Sequence, residues 1–164
     1  MAIERRRARF DDLYRELAPQ VIGYCRRRTD PEEAREVLAE TFVIAWRKLE
    51  AIPVEAPLPW LLSTARKVMA NRRRLQRADP VSIEPRVPDH ASDVAASLDL
   101  QAAFRRLSAE DRDTIALVAW DGLNPADAAV VAGCTSGTFS VRLHRARKRL
   151  AALLDPVTTV GGER

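Results

Sequence analysis

One helical stretch near the end of the chain combines small, methyl-bearing and cationic side chains at regular spacing. Four apolar residues recur there every three or four positions and predict a buried stripe: Phe139, Leu143, Ala146 and Leu150. The opposite face is small and polar at its start and cationic toward its end: Gly137, Ser140, Val141, His144, Arg145 and Lys148. Such a face suits the DNA major groove, with small groups at base edges and cations beside phosphates. It therefore predicts DNA binding.

The sequence before this helix predicts a shorter helix and a glycine turn. Asn124 can cap the shorter helix, and Pro125 suits its first position because proline has no N–H to leave unsatisfied. Gly133 can adopt a left-handed backbone and end that helix, and Thr135 or Ser136 can cap the next one. This order is typical of a helix-turn-helix. The alternative is a solvated amphipathic helix whose cations only offset its C-terminal dipole.

Residues 127–129, 133 and 138–147 resemble the region-four helix-turn-helix of bacterial extracytoplasmic-function sigma factors. That family usually reads E-I/A-A, then G, then T-V-x-S-R-L-x-R-A-R. This chain departs from the pattern at Phe139 and Val141, and Ser140 stands where a longer polar residue is common. The resemblance implies that the second helix reads the promoter minus-35 element, through Ser136, Gly137, Thr138, Ser140, Val141, Arg142, His144, Arg145 and Lys148.

No group of residues in the sequence predicts catalysis. A nucleophile with a base, a metal triad and a phosphate-cradling glycine loop are all missing. Cys25 and Cys134 lie far apart without zinc-site spacing, and we expect them to be buried thiols. We therefore expect a protein that is not an enzyme and that needs neither a cofactor nor a metal.

The first ten residues lack the apolar core of a signal peptide, and no apolar run is long enough to span a bilayer. We expect a cytoplasmic protein. At 164 residues the chain can form one medium domain or two small ones.

The charge distribution favours two domains and a linker. Residues 1–77 carry 17 basic and 11 acidic side chains, residues 78–97 carry 1 and 4, and residues 98–164 carry 9 and 8. The middle segment is acidic and rich in proline, without helical period. We predict an all-α protein of two small helical domains, 1–77 and 98–155, joined by a flexible linker, 78–97, and followed by a disordered tail, 156–164.

Three helices are predicted in the first domain. Apolar residues from Phe10 to Cys25 define the first, where Pro19 either kinks one helix or separates two short ones. Asp30 and Pro31 signal the start of the second. The third runs from Trp60 with a buried stripe and a cationic side that we expect to be exposed: Arg66, Lys67, Arg72, Arg73, Arg74 and Arg77.

Residues 34–46 and 60–66 resemble region two of the same family, whose motifs read A-E-D-L-V-Q-E-T-F-L-x-A-W and W-L-x-x-I-A-R. Departures occur at Arg35, Ala39 and Lys67. The resemblance implies docking on the clamp helices of the largest subunit of core RNA polymerase through Glu36, Ala39, Glu40, Ile44 and Arg47. It also implies minus-10 recognition through Trp60, Arg66, Lys67, Asn71, Arg73 and Arg74.

The sequence as a whole predicts a sigma factor that directs promoter-specific transcription initiation. The family implies further partners: promoter DNA, the flap of the second-largest polymerase subunit and an anti-sigma factor. Two alternatives remain open. The chain could be a stand-alone helix-turn-helix repressor, or a sigma-like protein that acts only by sequestering a regulator.

Overall fold

The computed structural model of the protein describes residues 1–76, 85 and 94–155, without the side chains of residues 94–97. The first helical unit consists of α1 (Ala2–Arg26), α2 (Pro31–Arg47), a 3-10 turn (Leu49–Ala51) and α3 (Pro57–Leu75). The second helical unit consists of α4 (Val94–Arg106), α5 (Ala109–Ala119), α6 (Pro125–Ala132) and α7 (Ser136–Leu154). The predicted all-α fold is confirmed.

Helix starts in the first unit follow local signals. Asp30 caps α2 and accepts hydrogen bonds from the backbone N–H groups of Glu32 and Glu33, at 3.0 and 2.9 Å. α1 continues through Pro19, so the apolar stripe from Phe10 to Cys25 belongs to one helix. α3 begins at Pro57, three residues before the predicted start, because a proline fits the first turn of a helix.

The helix-turn-helix is confirmed in α6 and α7. The Asn124 side chain accepts a hydrogen bond from the Asp127 N–H at 2.9 Å and caps α6. Gly133 ends that helix with φ of 73°, a left-handed conformation that costs glycine little. Of the two residues predicted to cap α7, Thr135 does so, accepting from the Thr138 N–H at 3.2 Å.

One apolar core runs through both units. Its members in the first unit include Val21, Leu61 and Met69, and it continues into the second through Leu117 and Phe139. α3 packs against α6, so the third helix of the first unit contacts the first helix of the helix-turn-helix. A smaller core closes the second unit around Phe104, Leu107, Ile115 and Ala146.

The predicted linker and tail lie mostly outside the described residues. α4 begins at Val94, so the last four residues of the segment predicted as linker, 94–97, are helical. Arg77 and the tail 156–164 are outside the described ranges. None of the helices in the described part of the chain combines the length and the apolar character that a membrane crossing requires.

Candidate nucleic-acid interface

α7 has the predicted two-sided character. Phe139, Leu143 and Ala146 are buried and Leu150 is half-buried, so the predicted buried stripe faces the cores. The other face is exposed along its length: Ser136, Gly137, Thr138, Ser140, Val141, His144, Arg145 and Lys148. Val141 is a large apolar side chain that is half exposed, so its methyl groups are accessible from solvent.

Arg142 lies at the edge of this exposed face. Its guanidinium makes an ion pair with Glu110 of α5 at 3.1 Å, with both side chains substantially exposed. Exposed pairs of this kind contribute little to stability, roughly 0–1 kcal/mol. Arg142 can therefore exchange Glu110 for a phosphate at small cost.

Phe139 is a departure from the family pattern that the structure explains. Its ring is fully buried in the core that joins the two units. The departure therefore lies on the packing side of α7. Among the three unusual positions, Ser140 and Val141 alone lie on the exposed face.

The cationic side of α3 is only partly exposed. Lys67, Asn71 and Arg74 are exposed, and Arg74 donates a hydrogen bond to the Asn71 side chain at 2.8 Å. The prediction of an exposed side chain was wrong for the half-buried Arg66, Arg72 and Arg73. α3 packs against both α2 and α6, and the sequence pattern of α3 alone does not reveal these neighbours.

Arg72 explains part of this burial, because it reaches across to α2. Its guanidinium pairs with Glu33, Glu36 and Glu40, at 3.9 Å for Glu33 and 3.5 Å for Glu40. Two of the residues predicted to contact polymerase, Glu36 and Glu40, are therefore ion-paired within the first unit. Both side chains are still partly exposed, and that of Glu36 is more exposed than that of Glu40.

The remaining predicted polymerase contacts lie along α2. Ala39 and Arg47 are exposed, and Ile44 is half-buried against the core. Val43 lies between them and is 49% exposed, although the sequence analysis did not select it. Its spacing of four from both Ala39 and Arg47 was the available signal, since residues at that spacing share one helix face.

An aromatic cluster lies beside this stripe. Phe10 packs edge-on against Trp46, with ring centroids 5.2 Å apart, and Tyr14 packs on Phe42 at 4.8 Å. Trp46 is 37% exposed, and the Arg6 guanidinium lies over its ring. Trp60 is half-buried and packs against the core.

A set of charged residues joins the two units: Arg27, Arg28, Arg66, Asp113 and Asp121. We call this set the interdomain ion network. Arg28 donates to Asp121 Oδ2 at 2.8 Å and to Asp113 Oδ1 at 3.2 Å. Arg27 also donates to Asp121, and Arg66 donates to Asp113 Oδ2 at 2.6 Å. Sequence reasoning missed this network, because its partners are 47 to 94 residues apart.

Burial shapes the ionisation of this network. The Arg28 guanidinium also lies over the Tyr24 ring, 3.8 Å from its centroid. Burial opposes the charged form of Arg28, but the carboxylates of Asp121 and Asp113 favour it, and the guanidinium pKa is raised. Burial raises the pKa of the Tyr24 hydroxyl, so this phenol stays neutral at physiological pH. At Arg66 burial again opposes the charge, while Asp113 raises the pKa.

The two thiols differ in their surroundings. Burial raises the pKa of Cys25 to about 12, so its reactive thiolate is scarce at neutral pH. Cys134 was expected to be buried but is half-buried, and it packs against the core. Within the described ranges, His, Cys, Asp and Glu side chains form no group of three or more that could hold a metal ion.

Two family models match this chain. "Sigma-70 region 2" matches residues 13–78, and "Sigma-70, region 4" matches residues 97–150. Together they cover most of both helical units and leave out most of the acidic segment between them.

Individual relatives match over most of the chain. A "Probable RNA polymerase sigma-C factor" of Mycobacterium bovis is 31% identical over 144 residues, which cover 81% of this chain and 76% of the relative. The "ECF RNA polymerase sigma factor SigM" of Mycobacterium tuberculosis is 31% identical over 157 residues, which cover 92% and 79%. The sigma factor RpoE of Bartonella quintana, solved with the anti-sigma factor NepR, superposes with a TM-score of 0.64 at 27% identity. That superposition covers 91% of this chain and 98% of RpoE.

Proposed function

This chain belongs to the sigma-70 family as an extracytoplasmic-function RNA polymerase sigma factor, and we propose that it selects promoters through two separate DNA contacts. Sigma factors are regulatory proteins of transcription initiation. The proposal concerns which surfaces of this chain perform the recognition.

The exposed face of α7 is the observation that carries the proposal. It offers a methyl-bearing Val141 and the polar Ser140 and His144 near the first turns, followed by Arg145 and Lys148. Val141 is suited to a thymine methyl, and Ser140 and His144 to base edges in the major groove. Arg145 and Lys148 are suited to flanking phosphates. This face is the proposed reader of the minus-35 element.

Recognition of the minus-10 element is assigned to α3, when the protein is bound to polymerase. Lys67, Asn71 and Arg74 form an exposed polar and cationic surface on that helix. A cationic groove with an aromatic side chain nearby suits unpaired DNA, and half-buried Trp60 lies near the start of the same helix. Arg66 and Arg73 complete the proposed set.

Polymerase docking is assigned to the outer stripe of α2. Ala39, Val43 and Arg47 share one exposed face, and Glu36 and Glu40 flank it. We assign this stripe to the clamp helices of the largest subunit, and the second unit to the flap of the second-largest.

An anti-sigma factor is a further proposed partner. The RpoE structure from Bartonella quintana was solved with the anti-sigma factor NepR and resembles this chain over 91% of its length. That resemblance supports a protein partner that covers this chain until transcription is needed.

The division of labour along α7 can be tested with two substitutions. Val141→Ala should change the preferred base at one position of the minus-35 element, because it removes methyl contacts to base edges. Lys148→Ala should weaken binding to every sequence alike and reduce the salt slope of binding by about 1, because it removes one phosphate contact. Binding of the polymerase holoenzyme to a promoter library at several salt concentrations separates the two effects. An unchanged base preference in Val141→Ala would show that the assigned face is wrong.

Run-off transcription with core RNA polymerase tests the whole proposal. Genomic fragments of the source organism are transcribed with and without the protein, and we expect specific start sites only when it is present. Those starts should share two upstream elements at the minus-35 and minus-10 positions. Val43→Ala should reduce the yield of transcripts without changing the start sites, because it weakens polymerase docking and leaves the DNA-reading surfaces intact.

Two negative results would favour the other functions. A footprint on duplex DNA without polymerase, and no dependence of transcription on the protein, would indicate a repressor. Binding to neither DNA nor polymerase would indicate a protein that only sequesters a regulator.

A further inference from the structure

The segment between α2 and α3, residues 48–56, leads directly into the helix assigned to minus-10 DNA. We call this segment the α2–α3 connection. It contains the 3-10 turn Leu49–Ala51, and its last residue, Ala56, precedes the start of α3 at Pro57. Trp60, the aromatic side chain proposed for unpaired DNA, lies in the first turn of α3. The orientation of that turn therefore depends on how the connection is held.

Two arginines of α1 hold the connection. Arg9 donates a hydrogen bond to the backbone oxygen of Ile52 at 2.9 Å. Arg6 donates a hydrogen bond to the backbone oxygen of Trp46, in the last turn of α2, at 2.6 Å. Each guanidinium also lies 3.6 Å from the carboxylate of Glu50. One helix thus binds the end of α2, the 3-10 turn and the residue that follows the turn.

The chemistry of these contacts suits arginine. The last carbonyl groups of a helix have no partner within the helix, and the helix dipole favours a cation beside them. The guanidinium is a planar fork, so Arg9 directs one nitrogen to Ile52 and another to Glu50. The Glu50 side chain is 74% exposed, so its ion pairs contribute little. The two bonds to backbone oxygens are therefore the main anchors.

The opposite side of the connection is held by the core. Leu49 and Ile52 are buried, at 0% and 2% exposure, whereas Val54 beyond them is 78% exposed. Three prolines restrict the backbone from the connection into α3: Pro53, Pro57 and Pro59. The exposed part is therefore short and stiff, and its starting point is fixed between the core and the two arginines.

We propose that Arg6 and Arg9 are positioning residues for minus-10 recognition. They fix the α2–α3 connection and, through it, the first turn of α3 that presents Trp60 to unpaired DNA. The inference rests on the assignment of minus-10 recognition to α3. A surface that is already held in its binding geometry loses less conformational freedom on binding, and it discriminates between bases because it does not move to accommodate a wrong one.

The neighbouring Arg5 and Arg7 provide a matched control. Both are exposed, and their contacts lie in and next to α1. Arg5 donates to the backbone oxygen of Met1 at 3.4 Å, and Arg7 lies 3.9 Å from the Asp11 carboxylate. Arg5→Ala/Arg7→Ala therefore removes the same charge from the same part of α1 as Arg6→Ala/Arg9→Ala, without releasing the connection.

The test compares the base preference of Arg6→Ala/Arg9→Ala with that of wild type and of the control variant. Each full-length chain is assembled with core RNA polymerase and incubated with a forked DNA library, in which a duplex is followed by a randomised unpaired stretch. Sequencing of the bound DNA gives the enrichment of each base at each unpaired position. Affinity for core polymerase and thermal unfolding are measured separately, because a merely structural role would change these quantities and weaken binding to all sequences alike.

We expect the preference at the most selective unpaired position to fall about tenfold in Arg6→Ala/Arg9→Ala, because one recognised base contributes a factor of this order. The control variant should keep the wild-type preference. Arg6→Lys/Arg9→Lys should recover part of the lost preference, since lysine retains the charge but not the planar fork. If the double alanine variant does not fold, Arg9→Ala alone releases Ile52 and should lower the preference by a smaller factor.

Two results would overturn the inference alone. One is an equal base preference in the alanine variant and in the control. The other is a loss of binding that is the same for every sequence, since it would show that the two arginines only stabilise the fold. If wild type itself shows no base preference at the unpaired positions, the assignment of minus-10 recognition to α3 is wrong, and the inference fails with it.

Discussion

Phe139→Ala is expected to destabilise the second unit more than any other single change on α7. The ring is fully buried in the core shared by the two units, so its removal leaves a large cavity and loses apolar burial. Truncation of a buried phenylalanine typically costs about 3–5 kcal/mol. Because whole proteins are stable by only about 5–15 kcal/mol, a substantial fraction of the second unit should unfold near physiological temperature. Thermal and urea unfolding, followed by circular dichroism, measure the loss.

Ser140→Ala is the matched control for that change. It alters the next residue of the same helix, which is exposed, and so should leave the free energy of unfolding within about 0.5 kcal/mol of wild type. It should still affect promoter binding if Ser140 contacts a base edge. A loss below about 1 kcal/mol in Phe139→Ala would show that this ring does not anchor α7.

Local signals in the sequence were sufficient to predict the helix-turn-helix. Asn124, Gly133 and Thr135 each act within three or four residues, through a cap, a left-handed turn and a second cap. The buried stripe of α7 follows from helical period alone. Features that depend on neighbours three or four residues away are readable without any knowledge of the tertiary structure.

Which arginines of α3 are exposed could not be predicted from such local signals. Helical period placed Arg66, Arg72 and Arg73 on a polar side, but that side lies against α2 and against the second unit. Charged residues are normally solvated, so the pattern favoured exposure. What buries them is a set of partners more than thirty residues away, for which one sequence gives no signal.

The same limit applies to the candidate site. The residues of α7 were selected because one helix presents them together, and they do share an exposed face. The carboxylates Asp113 and Asp121 were not selected, since α5 and the turn after it carry no motif of their own. Their role emerges only when they are seen beside Arg28 and Arg66.

Arg28→Met is expected to have the second of the two largest effects. The guanidinium pairs with Asp113 and Asp121, stacks on Tyr24 and donates to the Tyr24 backbone oxygen at 3.2 Å. Methionine keeps much of the volume but leaves two carboxylates short of a partner, and breaking a buried pair in this way costs about 3–5 kcal/mol. Unfolding by urea measures the loss, and scattering detects the part of it that appears as separation of the units.

Arg26→Met separates this effect from a simple loss of charge. Arg26 is exposed in the last turn of α1, two residues before Arg28, and its replacement should change the free energy of unfolding by no more than about 0.5 kcal/mol. Combining Arg28→Met with Asp121→Asn should recover part of the lost stability, because the amide no longer leaves an unpaired buried charge. A double-mutant cycle over these two sites should give a coupling of about 0.5–3 kcal/mol. No coupling, or equal losses in Arg26→Met and Arg28→Met, would mean that the ion pair does not hold the two units together. In that case their contact would depend on the apolar packing of α3 and α6 and on the remaining ion pairs of Arg27 and Arg66.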